Sequence, residues 1–256
     1  MTIALRRITF RYGRTDVLHD ITAQARPGRL TAVIGPNAAG KSTLLRCAAG
    51  LARPETGDVH IDDRPARRLR PRALARRVAY VAQRPTVSAA FSVRQVVELG
   101  RYALESDARK VDEALHRMEL TALAHRPYPA LSIGQQQRVS LARALAQITP
   151  SGNLVLDEPT SAMDLRHARR CWSILRQIAD DGATVITALH DLAAAANLAD
   201  DFWLLHDGRL VAAGNADDVM TQERLEAVFA VPFQWATCPD GHRILLPERE
   251  PDASSR

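Results

Sequence analysis

Two stretches of this chain carry residue types that could do phosphate chemistry. The first is Gly35-Pro36-Asn37-Ala38-Ala39-Gly40-Lys41-Ser42-Thr43, which fits the phosphate-binding pattern G-x-x-x-x-G-K-[ST]. A loop of this kind leaves backbone N–H groups unpaired at a helix N-terminus, aimed at one point. Gly35 and Gly40 let the backbone approach a β-phosphate, Lys41 reaches the β/γ oxygens, and Ser42 offers a hydroxyl to Mg²⁺. Lysine usage strengthens the motif: all but two of the 34 lysine and arginine residues are arginines, and one exception is Lys41. Arginine's wide planar fork cannot replace a compact ammonium between phosphates. The sequence therefore predicts a nucleotide-binding protein.

The second stretch is Leu154-Val155-Leu156-Asp157-Glu158-Pro159. An apolar strand ending in paired acids places two carboxylates at the carboxyl edge of a sheet, where open α/β sheets bind ligands. Alone, such a pair is often no more than a solvated loop entry. Downstream of a phosphate loop, Asp157 is expected to hold Mg²⁺ as the corresponding aspartate of P-loop NTPases does, and Glu158 to polarise the attacking water. The other acid pairs, Asp62-Asp63, Asp180-Asp181, Asp200-Asp201 and Asp217-Asp218, read as loop and cap residues.

The elements that must position these groups are legible in the periodicity. Ile3 to Phe10 alternates as a strand, and Leu30 to Ile34 is a short buried strand running into the phosphate loop. Thr43 to Leu51 reads as a helix ended by Gly50 and Pro54. Val78 to Val81 is a further strand, Ser92 to Gln147 is helical in pattern, and strands return at Leu154–Leu156 and Val185–Thr187. A helix carrying Leu165, Ala168, Trp172, Leu175 and Ile178 on one face lies between those two strands. Asp207-Gly208 is a hairpin signal between Phe202–Leu205 and Arg209–Ala213. Alternating strands and helices interrupted by a helical block predict a parallel-sheet core with an inserted helical subdomain.

Composition narrows the class further. The 256 residues are 46% hydrophobic, enough for one large core or two lobes, and no apolar run reaches membrane-spanning length. The N-terminus lacks the apolar core of a secretory signal, and the three cysteines lack metal or disulfide spacing, so a cytoplasmic compartment is expected. The net charge of +5 is concentrated in Arg64, Arg67, Arg68, Arg70, Arg72, Arg76 and Arg77. That run reads as a solvated face or a contact for lipid headgroups or a membrane partner. Nucleic acid is not expected, because no aromatics interleave for base stacking.

Leu131-Ser132-Ile133-Gly134-Gln135-Gln136-Gln137-Arg138 resembles the signature of the ATP-binding-cassette (ABC) ATPases, commonly Leu-Ser-Gly-Gly-Gln. The resemblance covers essentially the whole chain, with every motif in family order. It implies ATP and Mg²⁺ as ligands and a P-loop NTPase (RecA-like) α/β core, with an N-terminal antiparallel β subdomain and an inserted α-helical signature subdomain. By the same resemblance Tyr12 is the aromatic that stacks on adenine, and Gln83 the glutamine that senses Mg²⁺ and faces the membrane partner. Asp164, in Ser161-Ala162-Met163-Asp164, belongs to the loop that crosses to the opposite subunit, and His190 contacts the γ-phosphate. Taken singly, Tyr12, Gln83 and His190 would be ordinary residues of a strand end, a loop and a core. Two positions depart from the pattern. Ile133 stands where the signature has its first glycine, and Ala38 where the phosphate loop commonly has one. A β-branched residue avoids positive φ, so the backbone at Ile133 is expected to be extended or helical. Ser132, Gly134 and Gln135 remain to bind the γ-phosphate.

The resemblance further implies a homodimer of cassettes, with ATP between the phosphate loop of one copy and the signature of the other. Residues 1–247 are expected to be one domain: core 1–84 and 150–225, helical subdomain 85–149, and C-terminal segment 226–247, with 248–256 a disordered tail. Transport would require separate transmembrane permease subunits, indirectly an extracytoplasmic substrate-binding protein, and peripheral placement on the cytoplasmic face of the membrane. Val96-Val97-Glu98-Leu99-Gly100-Arg101, His190-Asp191-Leu192 through Arg209 and Thr221 to Val231 resemble importers of ferric siderophore, haem and cobalamin. Importers of zinc or manganese share much of this pattern. An exporter ATPase, or a soluble ABC ATPase acting on nucleic acid, is the remaining alternative.

Overall fold

A computed structural model of the chain describes residues 2–84, 87, 91–237 and 243–247. The expected tail at 248–256 and Cys238 lie outside the described residues. The strands are β1 (Ile3–Tyr12), β2 (Thr15–Ala25), β3 (Leu30–Ile34), β4 (Thr56–Ile61), β5 (Arg64–Pro65), β6 (Val78–Val81), β7 (Asn153–Asp157), β8 (Thr184–Ala188), β9 (Asp201–His206), β10 (Arg209–Gly214), β11 (Phe233–Thr237) and β12 (Arg243–Pro247). The helices are α1 (Lys41–Ala48), α2 (Pro71–Ala75), α3 (Val93–Glu98), α4 (Ala108–Arg117), α5 (Ile133–Gln147), α6 (Leu165–Asp180), α7 (Leu192–Leu198), α8 (Ala216–Val219) and α9 (Gln222–Phe229).

The central sheet runs β10-β9-β3-β8-β7-β6, parallel throughout except for the antiparallel edge pair β9–β10. Its middle strands are buried on both faces, which is why they read as continuous apolar runs. Alternate residues feed two different cores. Ala32, Ile34, Leu154, Leu156, Phe202 and Leu204 face the helical side. Val33, Val155, Ile186, Trp203 and Leu205 face α1 and the antiparallel sheet β2-β1-β4-β5. The fold is the α/β P-loop architecture with an antiparallel N-terminal sheet, and α3, α4 and α5 pack together as the helical insertion between β6 and β7.

Local chemistry explains the punctuation. Helix α1 begins at Lys41, two residues earlier than the pattern implied, because Gly40 takes φ 96° and turns the chain directly into the helix. It ends in a Schellman motif, with Gly50 at φ 70°, Leu51 N–H on Arg46 C=O, and Gly50 N–H on Cys47 C=O. Asp207 and Gly208 both take positive φ, as a type I′ hairpin requires. That turn also supports the phosphate loop: Gly208 N–H donates to Ala39 C=O at 3.2 Å.

One acid pair is more than loop material. Asp201 opens β9 at 5% exposure and accepts from Arg29 (2.6 and 2.8 Å) and Arg26 (2.9 Å). Asp200 accepts from Leu30 N–H and Arg176. The cap reading fails here because these acids anchor β9 to β3 across about 170 residues of sequence, a separation that local pattern does not encode.

Candidate functional site

Four loops leave the carboxyl edge of the parallel sheet side by side, because the strands that launch them share one direction. The phosphate loop follows β3, Gln83 follows β6, Glu158 follows β7 and His190 follows β8. Lys41 is 6% exposed, and its ammonium donates to the carbonyls of Gly35 (2.8 Å) and Pro36 (2.7 Å), which holds it in the mouth of the loop. Burial lowers its pKa, against the pull of Glu158 and Asp157, which raise it. Pro36, Asn37 and Ala39 complete the loop. Ala38 carries φ 62°, a left-handed conformation that costs a residue with a Cβ about 1 kcal/mol. A Cβ on Gly40 would stand 2.8 Å from Leu18 Cδ2, so the loop approaches β2 at van der Waals limit.

Ser42 Oγ donates to Asp157 Oδ1 at 3.1 Å. Asp157 is 4% exposed, and burial raises its carboxyl above the ordinary range despite that hydrogen bond. A hydroxyl and a buried carboxylate side by side are the oxygen donor set that a hard divalent cation takes. Thr43, next in the helix, is buried. The residues present therefore fit a magnesium nucleotide.

Glu158 sits between two partners. Gln83 Nε2 donates to its Oε2 at 2.6 Å, and His190 Nε2 contacts its Oε1. Its backbone is in the left-handed region at φ 48°, uncommon for a non-glycine residue and found where surroundings over-determine it. Tyr12 ends β1 with 47% of its surface exposed and packs edge-on against Phe10 at 4.8 Å. Its hydroxyl accepts from Arg46 Nη1 at 3.5 Å.

The signature residues stand elsewhere. Among the described residues no hydrogen bond or ion pair joins residues 35–43 to residues 131–135. Ser132 caps α5 in a capping box: Gln135 N–H donates to Ser132 Oγ (3.3 Å) and Ser132 N–H to Gln135 Oε1 (3.0 Å). The Ser-x-x-Gln spacing of residues 132–135 fits such a cap. Ile133 is the first helical residue and 70% exposed, so its branched side chain meets no backbone constraint. Gly134 packs so tightly on residues 160–163 that a Cβ would lie 2.5 Å from Ala162 C=O. Asp164, which caps α6 by accepting from His167 N–H, lines a shallow cavity of about 330 Å³ together with Ser132, Gly134, Gln135, Ala162 and Met163.

A family model described as "ABC transporter" matches residues 18–161, more than half of the chain and inclusive of the phosphate loop, Gln83, the signature and Asp157-Glu158. The chain belongs to the ABC transporter family. This cassette is 39% identical over 245 residues to the hemin import ATP-binding protein HmuV of Rhodococcus jostii, covering 93% of this chain and 83% of that one. It is 40% identical over 246 residues to the cobalamin import ATP-binding protein BtuD of Halobacterium salinarum, covering 93% of this chain and 61% of that one. Its fold superposes with TM-score 0.79 on a solved structure described as an inward-facing, putative metal-chelate type ABC transporter, at 26% identity over 97% of this chain and 98% of that chain. Like others of its family, the cassette is an ATPase.

Gln137 is a buried polar residue of the ABC cassette that the motif spacing does not single out. Gln137, 1% exposed on α5, hydrogen-bonds to the loops that carry Gln83, Glu158 and Ser161. It lies in a run of three glutamines whose members are indistinguishable in sequence; burial alone separates it from Gln135 and Gln136.

Proposed function

We propose that this chain is the ATP-hydrolysing subunit of a membrane importer of haem, ferric siderophore or cobalamin. The observation that carries the chemistry is Glu158, buried, gripped by Gln83 and His190, and adjoining Lys41, Ser42 and Asp157. The import reading is supported by relatives named for hemin and cobalamin import. Residues 1–247 act as one cassette in this reading, with 85–149 as the helical subdomain.

Backbone N–H groups of residues 35–43 and the Lys41 ammonium orient the β- and γ-phosphates, while Tyr12 offers its ring to the adenine. Ser42 and Asp157, with Gln83 nearby, would hold Mg²⁺, which when bound neutralises charge on the β/γ oxygens. Glu158 accepts a hydrogen bond from the attacking water and so aligns it with the γ-phosphorus, and His190 donates to a γ-oxygen. Both tasks require Glu158 to exchange one of its two present partners for water. Ser132, Gly134, Gln135 and Asp164 lie together at the heads of α5 and α6. A second copy, head to tail, supplies them in an isologous dimer.

The dimer works beneath separate permease subunits on the cytoplasmic face of the membrane, with an extracytoplasmic binding protein delivering cargo. No helix among the described residues is long and apolar enough to cross a membrane, in keeping with permeases on other chains. Purification of tagged protein from native membranes in mild detergent tests this reading. A polytopic permease and a binding protein that carries haem, a siderophore or a corrinoid are the expected companions. A zinc- or manganese-binding protein, a permease without a binding protein, or nucleic acid would overturn it in favour of a metal-ion importer, an exporter or a soluble ATPase respectively.

A further inference from the structure

The side-chain amide of Gln137 lies where two loops of the site converge, the one after β6 that carries Gln83 and the one after β7 that carries both Glu158 and Ser161. Its Nε2 stands 2.9 Å from Ser161 Oγ, 3.3 Å from the Glu158 carbonyl and 3.5 Å from the Gln83 carbonyl. Its Oε1 accepts from Ala162 N–H at 3.0 Å. A primary amide has two N–H groups, so two hydrogens serve three acceptors. The three bonds cannot all be good at once, and the distances show the present division: Ser161 is best served and Gln83 least. Movement of any one of these acceptors toward Gln137 releases another. The amide is almost fully buried, where a lost partner is not replaced by water and costs the desolvation of the group left behind.

The anchorage matters because of what the loops carry. Glu158 holds φ 48°, and its carbonyl is fixed by Gln137 together with Ser161 N–H at 3.3 Å. A left-handed backbone persists only where its surroundings over-determine it. Gln83 holds the same glutamate from the side-chain end, through Oε2. Ser161 and Ala162 lead into Asp164, and Ala162 C=O meets Gly134 at the head of the helix that bears Gln137.

We propose that Gln137 is a positioning residue for ATP hydrolysis: by sharing two hydrogens among the carbonyls of Gln83 and Glu158 and the hydroxyl of Ser161 it sets the backbone of Glu158 and links its loop to the one that carries Gln83. The inference rests on the ATPase reading of the site. Gln137 touches no substrate; it acts through the backbone of Glu158. Removing its amide therefore leaves nucleotide binding by the phosphate loop intact and lowers turnover.

The test compares Gln137→Met, which keeps length and volume, with Ser161→Ala, an exposed position that removes the best-served acceptor, and with the double variant. ATPase kinetics, affinity for a fluorescent ATP analogue, and amide hydrogen exchange across 157–164 are measured on the full chain. Gln137→Met is expected to retain analogue affinity and KM within about 2-fold, lose at least about 10-fold in kcat, and exchange faster at Ala162. Ser161→Ala should lower kcat less, and the double variant should be no worse than Gln137→Met, since both act through one bond. Active wild-type protein with an equally active Gln137→Met variant would overturn the proposal, as would affinity and kcat falling in proportion. If Gln137→Met does not fold, an unchanged kcat in Ser161→Ala overturns it. Wild-type protein that hydrolyses no ATP is a different result, and would remove the ATPase reading itself.

Discussion

Gln83 and Glu158 are joined by a 2.6 Å hydrogen bond from amide to carboxylate, across 75 residues of sequence. The bond ties the end of β6 to the end of β7, adjacent parallel strands in the sheet. Because Gln83 leads into the helical insertion and Glu158 adjoins the phosphate loop, the side-chain arrangement at the base is tied to the placement of the insertion. Substitution of Glu158 by Gln should preserve ATP binding within a few-fold and reduce kcat by roughly 10²–10⁴, the range for a positioned acid or base. Steady-state ATPase assays beside fluorescent-nucleotide titration check it; an active Glu158→Gln enzyme would remove Glu158 from its role.

Lys41 is predicted to tolerate no replacement. Lys41→Ala removes the ammonium and should abolish measurable nucleotide affinity at micromolar protein. Lys41→Arg should not restore it, since the planar fork cannot fill a mouth lined by the carbonyls of Gly35 and Pro36 at 2.8 and 2.7 Å. Isothermal titration with ATP decides, and an Arg variant binding like wild type would contradict the geometry.

Gly134→Ala places a methyl 2.5 Å from the Ala162 carbonyl, in a backbone-to-backbone approach that no rotamer can relieve. The loop of residues 160–163 must move, at about 1–3 kcal/mol of stability. Thermal unfolding should show the loss, and ATPase activity should fall with it. A variant with wild-type melting temperature would show that the contact is slack.

Asp201 gives the fold a defined pH response. Burial alone would raise its carboxyl; hydrogen bonds from Arg29 and Arg26 outweigh that and hold it below the ordinary carboxylate range. The folded value is thus depressed, so the contribution is complete above the unfolded value near about 4 and is lost as pH falls through the folded one. Asp201→Asn should cost about 2–3 kcal/mol at pH 7 by leaving two arginines without their shared carboxylate. Urea unfolding at pH 7 and at pH 3 tests this: the gap between the two proteins should shrink at the lower pH. A constant gap would mean that packing, not charge, is what Asp201 supplies.

Much of the site was readable because its parts are short and contiguous. The phosphate loop is nine residues between a buried strand and a helix, and its geometry follows from glycine, lysine and the helix N-terminus alone. The signature, Leu131 to Arg138, is likewise a contiguous run. Asp200 and Asp201 misled as loop acids, since their arginine partners come from β2–β3 and from α6, far away in the chain. Gln137 was silent for the same reason: its identity as the buried member of a glutamine run depends on what the fold places against α5.

By itself, then, the sequence determined the chemistry available: a phosphate cradle, a carboxylate pair, a signature helix, and the strand periods that order them. Each is a property of residues within one or two turns of each other. Only the tertiary structure decided which groups meet. Parallel strands β6, β7 and β8 deliver Gln83, Glu158 and His190 to one edge, and the insertion returns α5 so that one amide reaches two of their loops. Strand register and burial fix those meetings, and both are set by the packing of the whole core rather than by any local run of residues.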